Sequence, residues 1–393
     1  MIYLDNAATT KMCWDAREVE NDLYNTYGNP ASGSLFGNKA KDALETARSS
    51  IASRIGAEYG EVFFTSGATE GNNWAIKGAV DAWVCNNYGK TPHIITSLSE
   101  HHSVLNTVKA LEERGMCTAT YVSPDPYSGE VTVFDIISAL RPETALVSIM
   151  YINNETGARN DVANVGRLVR WYSKCAQAEG AACHVLFHVD ATQALGKMRV
   201  DVEEIGCDML TASGHKFHAG KGCGIMYMRK GTEISNLMEG GGQQFGLRPG
   251  TENLVSAARM ALALDKEEWA CIDNGYICEQ VKAIKEAILK IDGAHINGRP
   301  DPASGIVNVS FDGIDGRALL MLLEGKDVVC SSGSACSMGG ESHVLCAMRL
   351  DEDLIKGAIR ISVGRLNTKE EIRQAVHALR ECVEELRAEE DSE

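Results

Sequence analysis

The chain has 393 residues, 44% hydrophobic and 23% charged, with a formal net charge of −16. This is a soluble globular composition, long enough for one large domain plus a smaller one. The acidity argues against direct nucleic-acid binding as the main task, and no apolar run approaches the ~20 residues that cross a bilayer.

The first residues, Met1-Ile-Tyr-Leu-Asp-Asn, lack the basic-then-apolar form of a signal peptide, so a cytoplasmic protein is expected. The 13 cysteines are irregularly spaced, and none form a Cys-x-x-Cys pair. In a large cytoplasmic chain most should be reduced, buried and free of metal. His184 and His188 stand four apart, but the apolar Val185-Leu186-Phe187 between them reads as a strand and not as a zinc-binding helix.

Tyr3 to Thr10 reads as a segment lying on the body of the protein, and Gly28-Asn-Pro-Ala-Ser32 as a turn. A helix is predicted from about Gly37 to Ile55, with Ala40, Leu44, Ala47 and Ile51 on one face. Glu61 to Thr65 reads as a strand that runs into Ser66-Gly-Ala-Thr-Glu70 and a helix to Val84. Strand, glycine turn and helix aim backbone N–H groups at an anion, though Thr or Ser before a helix also serves as an ordinary cap. His93 to Ser97 is the next strand, ending at Glu100-His-His-Ser103, where a helix begins. Ala145 to Ile152 and Val185 to Val189 are apolar strands, ending in Asn153-Asn-Glu-Thr-Gly157 and Asp190-Ala-Thr-Gln193. An Asp at the end of a buried strand needs a partner, and a protonated pyridine nitrogen would suit it.

Thr211 to Gly222 reads as a loop between two apolar segments, centred on Ser213-Gly-His-Lys216. A lysine flanked by a hydroxyl, an imidazole and glycines suits a Schiff base to an aldehyde beside a phosphate, which points to pyridoxal 5'-phosphate (PLP). An exposed lysine in a glycine-rich loop fits the same residues. The Gly240 to Asn253 stretch is too rich in glycine for a regular element. A helix-rich connection follows from Leu254 to Ile291, with a domain boundary near Ala270. Beyond it, strands at Ile306 to Phe311 and Ile359 to Val363, short helices and an amphipathic helix from Thr368 to Glu389 predict an α+β unit.

Taken in order, YLDNAATT, GNPAS, FTSGATEGNN, SEHHSV, NNETG, HVDATQALGK, SGHKFHAGKG, GGGQQFGLRPGTEN, SSGSACS and IRISVGR resemble the cysteine desulfurases of the NifS/IscS type, class V aminotransferase relatives among the fold-type I PLP enzymes. The resemblance spans nearly the whole chain. It implies an α/β fold: a large doubly wound domain (16–270) around a mostly parallel seven-stranded sheet, and a small α+β domain (271–393) with residues 1–15 packed on it. It implies a homodimer that converts L-cysteine to L-alanine and passes the sulfur to an acceptor protein, such as an iron–sulfur scaffold or a thiolation enzyme.

By the same resemblance, Lys216 holds PLP, Asp190 pairs with the ring nitrogen, Gln193 meets the phenolic oxygen and His101 stacks on the ring and shuttles protons. Ala68, Thr69, Ser213 and His215 hold the phosphate, with Thr251 arriving from the partner subunit. Asn154, which also borders the cofactor, and Arg360 orient the substrate carboxylate, and Cys336 accepts the sulfur as a persulfide. Three stretches depart from the family pattern: Gly33-Ser-Leu35, Ala219-Gly220, and the short run after Cys336. A lyase or transaminase on the same fold is the other enzymatic reading. Cys336 argues against a plain transaminase, and intact Lys216, Asp190 and His101 argue against a scaffold that has lost its chemistry. Cys330 is expected to be a buried strand residue and not a second sulfur carrier.

Overall fold

The structure is a computed structural model that describes residues 1–178, 184–265, 275–333 and 341–390. Its centre is a seven-stranded sheet: β2 (Val62–Thr65), β3 (His93–Ser97), β4 (Thr118–Val122), β5 (Thr144–Met150), β6 (Leu186–Asp190), β7 (Met209–Ser213) and β8 (Gly224–Met228). The spatial order is β2-β8-β7-β6-β5-β3-β4, with only β8 antiparallel to its neighbours. Side chains alternate between the two faces, as the strand period of two requires. Val147, Ile149, Leu210, Ala212, Ile225 and Tyr227 face one core, whereas Leu146, Met209, Met226 and Met228 face the other. The first face is covered by α2 (Leu35–Arg54), α6 (Val162–Ala178) and α8 (Leu254–Asp265). The second is covered by α3 (Ala68–Asn86) and α4 (His102–Glu113). Burial on both faces explains why β5 and β7 read as continuous apolar runs.

A second core lies under a three-stranded antiparallel sheet of β9 (Ala294–Ile296), β10 (Ile306–Phe311) and β12 (Ile359–Ser362). Helices α9 (Tyr276–Ile288) and α13 (Lys369–Glu390) pack there, the latter through Ile372, Ala375, Leu379 and Val383, as its spacing predicts. The N-terminal strand β1 (Ile2–Tyr3) pairs in parallel with β11 (Val328–Val329), and Ile2 and Leu4 join this second core. The chain then crosses to the large sheet, where Thr10 N donates to His215 O at 2.8 Å. The expected boundary near Ala270 lies outside the described residues.

Several expectations need correction. The predicted loop from Thr211 starts as strand, because β7 continues to Ser213 and pairs with β8 through Ser213 opposite Gly224. Glu61 belongs to a 3₁₀ turn, and its carboxylate accepts from Glu58 N at 2.8 Å and Lys230 N at 2.7 Å. Cys330 sits one residue past β11 and is half-buried. Helix α1 (Trp14–Asp22), β4 and α6 were not anticipated.

Candidate active site

The parallel strands all present their carboxyl ends on one edge, where loops of an open α/β sheet gather ligand groups. A cavity of about 570 Å³ opens there. It is lined by Ala68 and Thr69 after β2, His101 after β3, Asn154 after β5, Asp190 and Gln193 at the end of β6, Ser213, His215 and Lys216 at the end of β7, and Arg360 from β12. Ten of the twelve residues expected at the site therefore border one space. Thr251 is exposed and lies outside the cavity lining, and Cys336 lies outside the described residues.

One end of the cavity is suited to an anion. Gly67 caps α3, whose first N–H groups have no intrahelical partner and carry the positive end of the helix dipole. Ser213, Thr69 and the His215 ring join them. Burial, with Lys216 and Lys221 nearby, brings the His215 pKa down to about 4, so the ring is neutral at physiological pH and available for hydrogen bonding. Close backbone packing sets the height of this helix end: a Cβ on Gly224 would lie 2.5 Å from Gly67 Cα. Glu70 in the first turn accepts from Ser66 N at 2.8 Å and pairs with Arg248 at 2.8 Å, fastening the glycine-rich 240–253 stretch beside α3.

The middle of the cavity carries an acid and an imidazole. Asp190 is buried and accepts from Asn72 Nδ2 at 2.8 Å and Thr192 N at 2.9 Å. These two donors fix the orientation of the carboxylate, and its remaining lone pairs can accept from a ring N–H. His101 caps α4: Ser103 N donates to its Nδ1 at 3.1 Å, so in the neutral ring the proton sits on Nε2. Burial is the largest of the effects on His101 and lowers its pKa; Asp190 opposes that shift and Lys216 adds to it. Lys216 follows β7 in a 3₁₀ turn, and its Nζ donates to Ala7 O at 2.7 Å and Ala8 O at 2.8 Å. A lysine amine, a carboxylate, an imidazole and a phosphate cradle make a donor set that fits PLP.

The third end holds Arg360, which is 1% exposed. Its Nη1 donates to Asn154 O at 2.9 Å and its Nη2 to Asp5 Oδ1 at 2.6 Å, while Nε is buried without a partner among the described residues. The guanidinium expected to bind a carboxylate is thus held by one from the N-terminal segment. Glu155, beside Asn154, is fully buried and accepts from Ser342 Oγ. A Cβ on Gly333 would meet Glu155 Oε2 at 2.9 Å, so both flanks of residues 334–340 meet this one acid.

Sequence reasoning missed Asn72, Asp5, Ala7, Ala8 and Glu155 as parts of the site. Asn72 had a signal: an amide on the apolar side of a predicted helix, inside FTSGATEGNN, where it is 0% exposed. Ala7 and Ala8 act through backbone carbonyls and carry none. His188, by contrast, is structural: it is buried between Ser148 Oγ at 2.8 Å and Thr211 Oγ1 at 3.2 Å.

The sequence and the fold also resemble those of known proteins. A cysteine desulfurase IscS from Methanosarcina thermophila is 38% identical over 396 residues, covering 98% of this chain and 93% of the relative. A NifS-like protein of known structure superposes with a TM-score of 0.87 at 34% identity, covering 98% of this chain and 99% of that one. SspA in complex with cysteine superposes with a TM-score of 0.79 at 30% identity, covering 94% of this chain and all (100%) of that one. Residues 2–375 match the aminotransferase class-V family, and the chain belongs to it.

Proposed function

We propose that the chain is a PLP-dependent cysteine desulfurase, which converts L-cysteine to L-alanine and keeps the sulfur as a persulfide on Cys336. The observation that carries the reading is the single cavity in which Lys216, Asp190, His101 and the amino end of α3 converge. Bound there, PLP supplies an electron sink for the charge left on the substrate Cα when its proton leaves. Ala68, Thr69, Ser213 and His215 would hold its phosphate, Lys216 its aldehyde carbon and Gln193 its phenolic oxygen. The Asp190 carboxylate would keep a proton on the ring nitrogen. Arg360, with Asn154, would bind the substrate carboxylate in place of Asp5, for which a bidentate guanidinium is suited. His101, half-buried and with its pKa lowered chiefly by desolvation, would move a proton near Lys216 Nζ. The Cys336 thiolate would attack the substrate sulfur: the S–S bond forms as the C–S bond breaks, and a proton added at carbon completes alanine.

The same division of the chain is proposed as at the outset: 1–15 with the small domain, 16–270 large and 271–393 small. The working form is a homodimer in the cytoplasm, with Thr251 completing the partner's phosphate site. An acceptor protein then removes the sulfur, serving iron–sulfur assembly or thiolation.

The test uses the PLP-loaded protein. Borohydride should fix PLP on Lys216, and peptide mapping to another lysine would overturn the cofactor assignment. Cys336→Ser should keep the yellow cofactor and bind cysteine, yet release almost no alanine and carry no persulfide. Cys330→Ser should stay active, because burial and Asp5 push the Cys330 thiol up to about 12 and leave it a poor nucleophile. Near-normal alanine release by Cys336→Ser, or a persulfide found on Cys330, would contradict the sulfur assignment.

A further inference from the structure

Lys197 is a buried lysine that the reaction does not call on. It is 8% exposed, stands four residues after Gln193, and donates from Nζ to Gln193 Oε1 at 2.5 Å and to Ser304 O at 3.3 Å. Gln193 is itself 3% exposed and uses its Nε2 to donate to Ala7 O at 2.9 Å. An amide has one acceptor end and one donor end, nearly identical in shape, and only its partners decide which way it faces. Lysine has no acceptor, so the contact from Lys197 fixes Oε1 on its own side and leaves the NH₂ end toward the cavity and the Ala7 carbonyl. Ser304 O, from the segment beside β10, holds the ammonium from behind.

We infer that Lys197 is a positioning residue that locks the Gln193 side chain with its N–H groups facing the cofactor ring, so that Gln193 can only donate there. The inference rests on the PLP reading given above. A free amide could turn its carbonyl to the cavity and set oxygen against the ring's phenolic oxygen. That reversal replaces a hydrogen bond with a repulsion. The lock is firmest while Lys197 carries its proton. Burial, with Lys216 and Arg360 nearby, lowers the Lys197 pKa to about 7, and the neutral amine, which has a lone pair, no longer dictates the direction of the amide by itself. His218, on the far side of the lysine turn, feels the same cation.

The test is Lys197→Met, which suits a buried site, read in the PLP-loaded protein by the pH midpoint of its visible absorbance and by PLP affinity. Loss of the lock leaves the proton at Lys216 Nζ harder to remove, so the midpoint should rise by about one pH unit, with PLP affinity falling about tenfold. The pair must act through one residue. In a Gln193→Ala background, Lys197→Met should therefore shift neither quantity further, whereas independent effects would add. An unchanged midpoint in Lys197→Met, or a full additional shift in the Gln193→Ala background, overturns the inference. Lys197→Leu, which also removes the donor, gives the same reading if the methionine variant does not fold. Borohydride mapping of PLP to Lys216 in each variant separates failure of the lock from failure of the cofactor assignment.

Discussion

At the scale of single residues, Glu100 shows how burial sets a protonation state. It is 0% exposed, accepts from Met150 N at 2.7 Å through Oε1, and has its Oε2 buried without a partner among the described residues. Desolvation, with Asp190 nearby, raises its pKa well above 4.5. A folded-state pKa above the unfolded value means that folding binds a proton. The stability from that proton is fully present below pH about 4.5 and is lost as the pH climbs toward the folded value. Glu100→Gln copies the neutral acid, so its unfolding free energy should fall less steeply with rising pH than that of the wild type. Glu100→Ala leaves the Met150 N–H unsatisfied, at a cost of ~1–3 kcal/mol. Urea denaturation repeated across the neutral pH range measures both. A Glu100→Gln slope as steep as the wild type's would place the titrating group elsewhere. Residues of this kind divide cleanly by legibility. Lys216, Asp190 and His101 sit at strand ends in recognisable motifs. The Arg360–Asp5 pair joins positions 355 apart, and no local pattern announces it.

At the scale of elements, the site depends on how α3 meets the sheet. The helix start was legible from Thr65-Ser-Gly-Ala-Thr69, but its height above the strands was not, because Gly224 sets it from a separate strand. A Cβ there would lie 2.5 Å from Gly67 Cα and 2.8 Å from Ala212 O, both backbone atoms that cannot swing aside. Gly224→Ala should therefore lift the amino end of α3, destabilise the fold by ~1–3 kcal/mol and weaken PLP binding several-fold. Thermal unfolding of the apoprotein and PLP titration check the two effects separately, and wild-type values in both would remove this contact from the account. Among the unanticipated elements, α6 had a readable stripe in Val162, Val165, Leu168, Val169 and Tyr172, all packed on the first core. Strand β4 had little to read: it lies at the sheet edge, and Thr118 at its start is exposed.

At the scale of the whole molecule, the described surface exposes several large apolar side chains close together in the sequence. Between Trp14 and Phe36 the chain exposes Trp14, Tyr24, Tyr27, Leu35 and Phe36, with Tyr27 at 74% and Leu35 at 70%. Tyr27 and Phe36 stack on each other at 5.1 Å and still face solvent. Clustered exposure of large side chains marks an interaction surface. Thr251, meanwhile, lies exposed on a stretch held at Gln244 and Arg248, away from its own chain's cavity. A second copy would account for both features, covering the aromatic surface and receiving the threonine. The double variant Leu35→Glu with Phe36→Glu tests this without threatening the fold. Both positions lie in the first turn of α2, where acidic side chains favour the helix dipole and where Ser34 caps Gly37 N at 3.1 Å. Sedimentation should find the wild type dimeric and the variant monomeric, with equal helix content by circular dichroism. PLP should dissociate from the variant more readily, and from the wild type on dilution, because each phosphate site would then lack the threonine from its partner. A wild-type monomer saturated with PLP, or a double variant that stays dimeric, would show that this surface has another use.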